Sequence, residues 1–196
     1  MPFFILVDIM KKAIYQFLFR LFKWKIINAP DLNSFQYVLI AAPHSSNYDF
    51  FIGLAVKNIL SIRPHFLAKK ELFFFPLSIF LKSLGGIAVD RANKHELVTD
   101  ISNRFANDKH FSLALAPEGT RKAVPKFKTG FYQIAYQAKV QIAMVGLDYE
   151  KKEVSFAPPF YPSGNFQHDT LTIAAFYKNK KGKNRNVGSI TLIEIQ

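Results

Sequence analysis

Short apolar runs recur along this chain at a spacing that leaves room for one helix between each pair. They are Tyr37-Val38-Leu39-Ile40-Ala41-Ala42, Phe66-Leu67-Ala68, Ile87-Ala88-Val89, Phe111-Ser112-Leu113-Ala114-Leu115-Ala116 and Ile142-Ala143-Met144-Val145-Gly146-Leu147. Such runs are too short for helices and do not alternate with polar residues, which marks strands covered on both faces. Helical patterns fill about 48–60, 70–83, 93–107 and 129–139 between them. Strand followed by helix, repeated, predicts an α/β fold: a single domain with a mostly buried mixed sheet flanked by helices. Ligands of such folds gather where strands exit the sheet. The last third changes character. Glu153-Val154-Ser155-Phe156 reads as an edge strand, Pro158, Pro159 and Pro162 as a loop, and 168–178 as a helix. A basic, turn-rich connector at 178–185 precedes a closing strand over Ser189–Ile195.

The strand exits carry the chain's chemistry. Pro43-His44-Ser45-Ser46-Asn47-Tyr48-Asp49 follows the first run. A neutral imidazole accepts a proton from a hydroxyl near physiological pH, and a carboxylate on its other ring nitrogen fixes the tautomer. His44 in the loop and Asp49 in the first helical turn suit those roles. Ser46 to Asp49 equally fits a capping box, in which Asp49 only caps a helix. Gly85-Gly86-Ile87-Ala88-Val89-Asp90-Arg91 and Pro117-Glu118-Gly119-Thr120-Arg121 each bring a guanidinium suited to phosphate. Their plainer readings are a neighbouring ion pair for Arg91 and an ordinary turn for residues 117–121. Lys128 supplies another cation or is simply solvated. There is no G-x-S-x-G elbow, no P-loop and no dinucleotide fingerprint, and the remaining histidines lack metal-ligand spacing.

Composition narrows the setting. A chain of 196 residues with 49% hydrophobic content has enough apolar material for one core, and disorder is excluded. Its 21 Phe cluster near Phe3–Phe22 and in Leu72-Phe73-Phe74-Phe75-Pro76-Leu77, more ring surface than such a core needs. The net charge of +12 calls for an anionic partner: an anionic membrane, an acidic metabolite or nucleic acid. The absence of cysteine removes disulfides, thiolate metal sites and a Cys nucleophile. Residues 3–27 read as an amphipathic helix, with Asp8 a candidate break and Ile14, Phe17, Leu18, Leu21 and Phe22 interleaved with Lys11, Lys12, Arg20 and Lys23. Trp24 has the setting of an interfacial anchor. This segment either packs on the core or lies on lipid. No run is long enough to span a bilayer and no signal peptide is recognisable, so a location inside the cell is expected.

Taken in order, the three clusters resemble the blocks of the glycerol-phosphate and lysophosphatidate acyltransferases, the PlsC-like family, over about residues 37–150. His44 to Asp49 is similar to the H-x4-D block, with Ser46 at its common serine. Gly85 to Arg91 resembles the second block, and Pro117 to Arg121 the P-E-G-T-R block, continued by Phe127-Lys128-Thr129-Gly130. The segment Gly146-Leu147-Asp148-Tyr149 is similar to that of a short, compact branch with the P-H-S-S-N-Y-D signature. Pro43 stands where the family usually has Asn, and residues 141–145 lack the usual prolines of the fourth block.

The resemblance implies direct acyl transfer from acyl-CoA or acyl-carrier protein to the hydroxyl of a lysophospholipid, in phospholipid biosynthesis. His44 would be general base and Asp49 its orienter. Arg91 would hold the acceptor phosphate, and Ser46, Glu118, Gly119, Thr120, Arg121 and Lys128 would complete the acceptor site. No metal or cofactor is implied. Lysophosphatidate is the first acceptor, with a lyso-aminolipid or another hydroxylated lipid as alternative. The segment 1–28 would be a membrane-docking element and 29–196 the acyltransferase domain, peripheral or monotopic on the cytoplasmic face. A nucleic-acid-binding module, for which no motif is present, and a lipid ester hydrolase are the rival functions.

Overall fold

Strand β2 (Tyr37–Ala42) shows how the sequence builds this fold. Its side chains alternate across the sheet: Val38, Ile40 and Ala42 join one buried cluster, while Tyr37 and Leu39 join the other. Both faces are therefore covered, as its unbroken apolar run predicts. The structure, a computed structural model, describes residues 2–90, 94–121, 124 and 126–184. In chain order these form α1 (Pro2–Leu21), β1 (Lys25–Ile27), β2, α2 (Tyr48–Ile59), β3 (His65–Lys69), a 3-10 turn (Lys70–Leu72), α3 (Leu77–Ser83) and β4 (Gly86–Val89). Then follow α4 (Lys94–Asn107), β5 (Leu113–Leu115), α5 (Gly130–Ala138), β6 (Gln141–Asp148), β7 (Glu153–Phe160) and α6 (Phe166–Tyr177).

The strands make one seven-stranded mixed sheet in the order β1-β7-β6-β2-β5-β3-β4. Only β7 runs against its neighbour, pairing antiparallel with β6 and, across its other edge, parallel with β1. Helices α4, α5 and α6 cover one face through Ile101, Phe105, Phe131, Ile134, Ile173 and Tyr177. Helices α1 and α2 cover the other through Phe19, Ala55 and Val56. The consequence for function lies in strand direction. Strands β2, β5 and β6 are mutually parallel, with Ile40 beside Leu115 and Ala42 beside Gly146, so their exits share one edge of the sheet.

Several expected boundaries move. Helix α1 runs unbroken past Asp8 but ends at Leu21 rather than near residue 27. Lys23 adopts φ 61°. The Trp24 N–H bonds the Phe19 carbonyl at 2.8 Å and the Lys23 N–H bonds that of Arg20 at 3.0 Å. That is a Schellman stop built on a lysine instead of glycine. Released by it, Lys25–Ile27 becomes the sheet edge, so β7 is an inner strand and not the edge. Pro158 and Pro159 lie inside β7 rather than in a loop. The register shifts there, between the Ile142–Phe160 and Met144–Ala157 pairs, where a residue without an N–H is tolerated. The helix expected over 70–83 divides at Phe73–Pro76. The closing strand over 189–195 lies outside the described residues.

Helix α1 buries Phe19 on the core yet leaves Leu6, Ile9, Met10, Ile14, Phe17 and Leu21 more than half exposed. Phe74, Phe75, Ile79 and Phe80 around the start of α3 are equally open. Among the described residues, no helix is long and apolar enough to cross a membrane.

Candidate active site

The loop between β2 and α2 wraps around a single carboxylate. Asp49 is almost fully buried, at 5% exposure. Its Oδ2 accepts the backbone N–H groups of Ser45 at 2.7 Å and Ser46 at 2.8 Å, and lies 3.1 Å from His44 Nδ1. Its Oδ1 accepts the Tyr149 hydroxyl at 2.5 Å. Asp49 thus ties down the loop amides and the imidazole together, while the N-cap of α2 is Asn47, which makes no side-chain cap bond. Burial pushes its carboxyl up, but the donors from His44, Tyr149, Ser46 and Ser45 outweigh burial and hold it below the ordinary range. An anionic Asp49 keeps the imidazole proton on Nδ1. That leaves the lone pair on Nε2, which Arg121 Nε approaches at a long 3.4 Å.

The exit of β5 meets this loop from the side. Glu118, 3% exposed, accepts the backbone N–H of His44 on Oε1 at 2.8 Å, while Oε2 has no hydrogen-bond partner among the described residues. Burial pushes the Glu118 carboxyl above its usual range, against the His44 amide bond that favours the charged form. Gly119 follows at φ 65°, a conformation that favours glycine, and the Lys128 side chain lies against it, 2.7 Å from where a Cβ would stand. The Lys128 N–H bonds the Pro117 carbonyl at 2.9 Å, folding the exposed side chain back beside the turn. Thr120 continues the turn to the exposed Arg121. Ser46 faces its own helix, accepting the Tyr48 N–H on Oγ at 3.2 Å. His44, Asp49, Glu118 and Arg121 thus come together, with Gly119, Thr120 and Lys128 alongside. Arg91 lies outside the described residues. No group of three or more His, Asp or Glu among the described residues could hold a metal ion.

A family model, Acyltransferase, matches residues 24–148. That span is more than half of the chain and includes every residue just named except Tyr149. The chain belongs to the acyltransferase family. The acyltransferase also resembles, over 87% of its length, the crystal structure of the 1-acyl-sn-glycerophosphate acyltransferase PlsC from Thermotoga maritima. That match covers 75% of the PlsC chain at a TM-score of 0.59 and 18% identity, which speaks for the fold. No curated protein matches the acyltransferase by sequence.

Two contacts of the acyltransferase site were not legible in its sequence. Tyr149 follows β6 directly and reaches Asp49 a hundred residues back. Asn184 Nδ2 donates to the Ser45 carbonyl at 2.8 Å from the basic connector. The one signal for Tyr149 was its place at a strand exit; Asn184 carried none.

Proposed function

We propose that this acyltransferase moves a fatty acyl chain from an acyl-CoA or acyl-carrier-protein thioester to the free hydroxyl of lysophosphatidate or a related lysolipid. The observation that carries the reading is His44: Nδ1 tied to a buried anionic Asp49, Nε2 turned toward a guanidinium. Nε2 takes the acceptor's hydroxyl proton as the oxygen attacks the thioester carbonyl. The tetrahedral intermediate collapses, the C–S bond breaks, and the imidazolium returns the proton to the leaving thiolate. No acyl-enzyme forms, and the thioester supplies the activation without a metal or cofactor. Arg121 and Lys128, together with Arg91, supply cations for the acceptor's phosphate.

The lysolipid reading gains support from the open apolar rings of α1 and the α3 start, beside a chain of net charge +12. Those features suit peripheral docking on an anionic bilayer, at its cytoplasmic face. Nucleic acid is not a partner in this reading.

Purified wild type and His44→Ala are to be given labelled palmitoyl-CoA or palmitoyl-acyl-carrier protein with lysophosphatidate. Phosphatidate from wild type alone is expected. Free palmitate without phosphatidate would make the enzyme a hydrolase. Product from a lyso-aminolipid but not from lysophosphatidate would reassign the acceptor.

A further inference from the structure

We propose that Tyr149 is a positioning residue for the catalytic pair, its hydroxyl locking the Asp49 carboxylate so that Oδ2 stays on His44 Nδ1. This rests on the reading of His44 as general base. The geometry is asymmetric in a telling way. Oδ2 receives three donors, all from the loop that holds His44, and Oδ1 receives one, from the turn after β6. Donors on one oxygen alone leave the carboxylate free to pivot about its Cβ–Cγ bond. The Tyr149 hydroxyl on Oδ1 removes that freedom and satisfies an otherwise buried anionic oxygen.

The phenol is itself fixed from outside the site. The Trp24 and Tyr149 rings meet edge to face, with centroids 5.0 Å apart at 90°. The Tyr149 N–H bonds the Lys181 carbonyl at 2.8 Å. Segments around residues 24, 149 and 181 thus converge to aim one hydroxyl. Two buried tyrosines differ from the half-buried Tyr149: Tyr177 gives its hydroxyl to the Ile40 carbonyl and Tyr132 to Asp169, neither touching the His44 loop's carboxylate. The hydroxyl also has an electrostatic effect. By sharing the negative charge of Asp49 it makes the carboxylate less basic, so the Nδ1 proton stays on the ring and the imidazolium is less over-stabilised. Other ionisable groups around the imidazole are Glu118 beneath the His44 amide and Arg121 at Nε2; Lys183 stands over the Tyr48 ring nearby.

Tyr149→Phe removes the hydroxyl and keeps the ring against Trp24. In the full chain, the His44 imidazole is to be titrated by NMR, its signal assigned with His44→Ala. The midpoint is expected to rise by roughly half a pH unit. The acidic limb of kcat/KM for palmitoyl transfer to lysophosphatidate should move up in step. kcat should drop about ten-fold with the acceptor KM unchanged, as for loss of one charge-assisted hydrogen bond. Tyr149→Gln, which offers an amide donor, should restore part of both. An unshifted His44 midpoint in folded Tyr149→Phe would overturn the assignment. If that variant does not fold, the eight tyrosines can be replaced by 3-fluorotyrosine, whose stronger donor should lower the midpoint; an unmoved midpoint is then the refutation. The titration needs no substrate. A shifted midpoint without any phosphatidate from wild type would therefore sink the lysolipid reading and leave the role of Tyr149 standing.

Discussion

Asp49→Asn separates the charge of this site from its shape. The amide is nearly isosteric, and its carbonyl can keep the Ser45 and Ser46 N–H bonds now made at 2.7 and 2.8 Å. What disappears is the negative charge beside His44. With Nδ1 and Oδ2 3.1 Å apart and both charges delocalised, the charge centres lie about 4 Å apart. At an effective dielectric of about 20, that pair is worth about 4 kcal/mol once the imidazolium is fully formed. A transition state with the proton half transferred recovers about half of this, so kcat should fall roughly thirty-fold. Acceptor KM should stay near wild type, because Asp49 is buried on the Nδ1 side of the imidazole. Weakening the Ser45 and Ser46 bonds to neutral ones and losing the Tyr149 hydroxyl's donation to Oδ1, where the amide NH2 only donates, costs about 3 kcal/mol, a Tm loss of roughly 6–12 °C. Palmitoyl-CoA turnover on lysophosphatidate, with thermal melting of the same samples, reads both numbers. A kcat within two- or three-fold of wild type would refute the reasoning, since the buried charge would then contribute nothing to proton transfer.

The other carboxylate should act in the opposite sense with pH. Glu118 is held above its ordinary range by burial, so between about pH 4.5 and its folded value the native state binds more protons than the unfolded one and stability falls as pH rises. Glu118→Gln should flatten that slope in a Tm-against-pH series. Asp49, held below its ordinary range, instead contributes stability above about pH 3.8 that is lost as pH falls toward its lower folded value. An unchanged slope in Glu118→Gln would mean the carboxyl does not titrate with folding. On the apolar face, Phe17→Asp exchanges a ring that is 64% exposed for a charge. If α1 docks on lipid, flotation with anionic vesicles should weaken at least ten-fold, since a fully buried Phe is worth about 1.5–3 kcal/mol. Equal flotation would remove α1 from the docking surface.

Because their signals are local, the amino-acid sequence determined the inner strands and most helices, though not β1. An apolar run such as Tyr37–Ala42 must be buried on both faces, and its strand has those same bounds. The patterns at 48–60, 93–107 and 129–139 likewise became α2, α4 and α5 within a residue at each end. Strand exits were legible too, which is why His44, Glu118 and Arg121 could be singled out before their contacts were known. What failed were boundaries whose signal is not chemical. Lys23 ends α1 in a left-handed conformation that glycine usually announces, so nothing in the residue type marked that stop.

Only the tertiary structure decided who meets whom. Parallel pairing of β2 with β5 and β6 brings Glu118 beneath the His44 amide and Tyr149 onto Asp49, across 74 and 100 residues of chain. Strand order also made β1 rather than β7 the sheet edge. Apolar periodicity says which face of a strand is buried, because burial depends on that strand's own side chains. Which strand lies beside it depends on the packing of the whole sheet, and the polar contacts of the site follow from that choice.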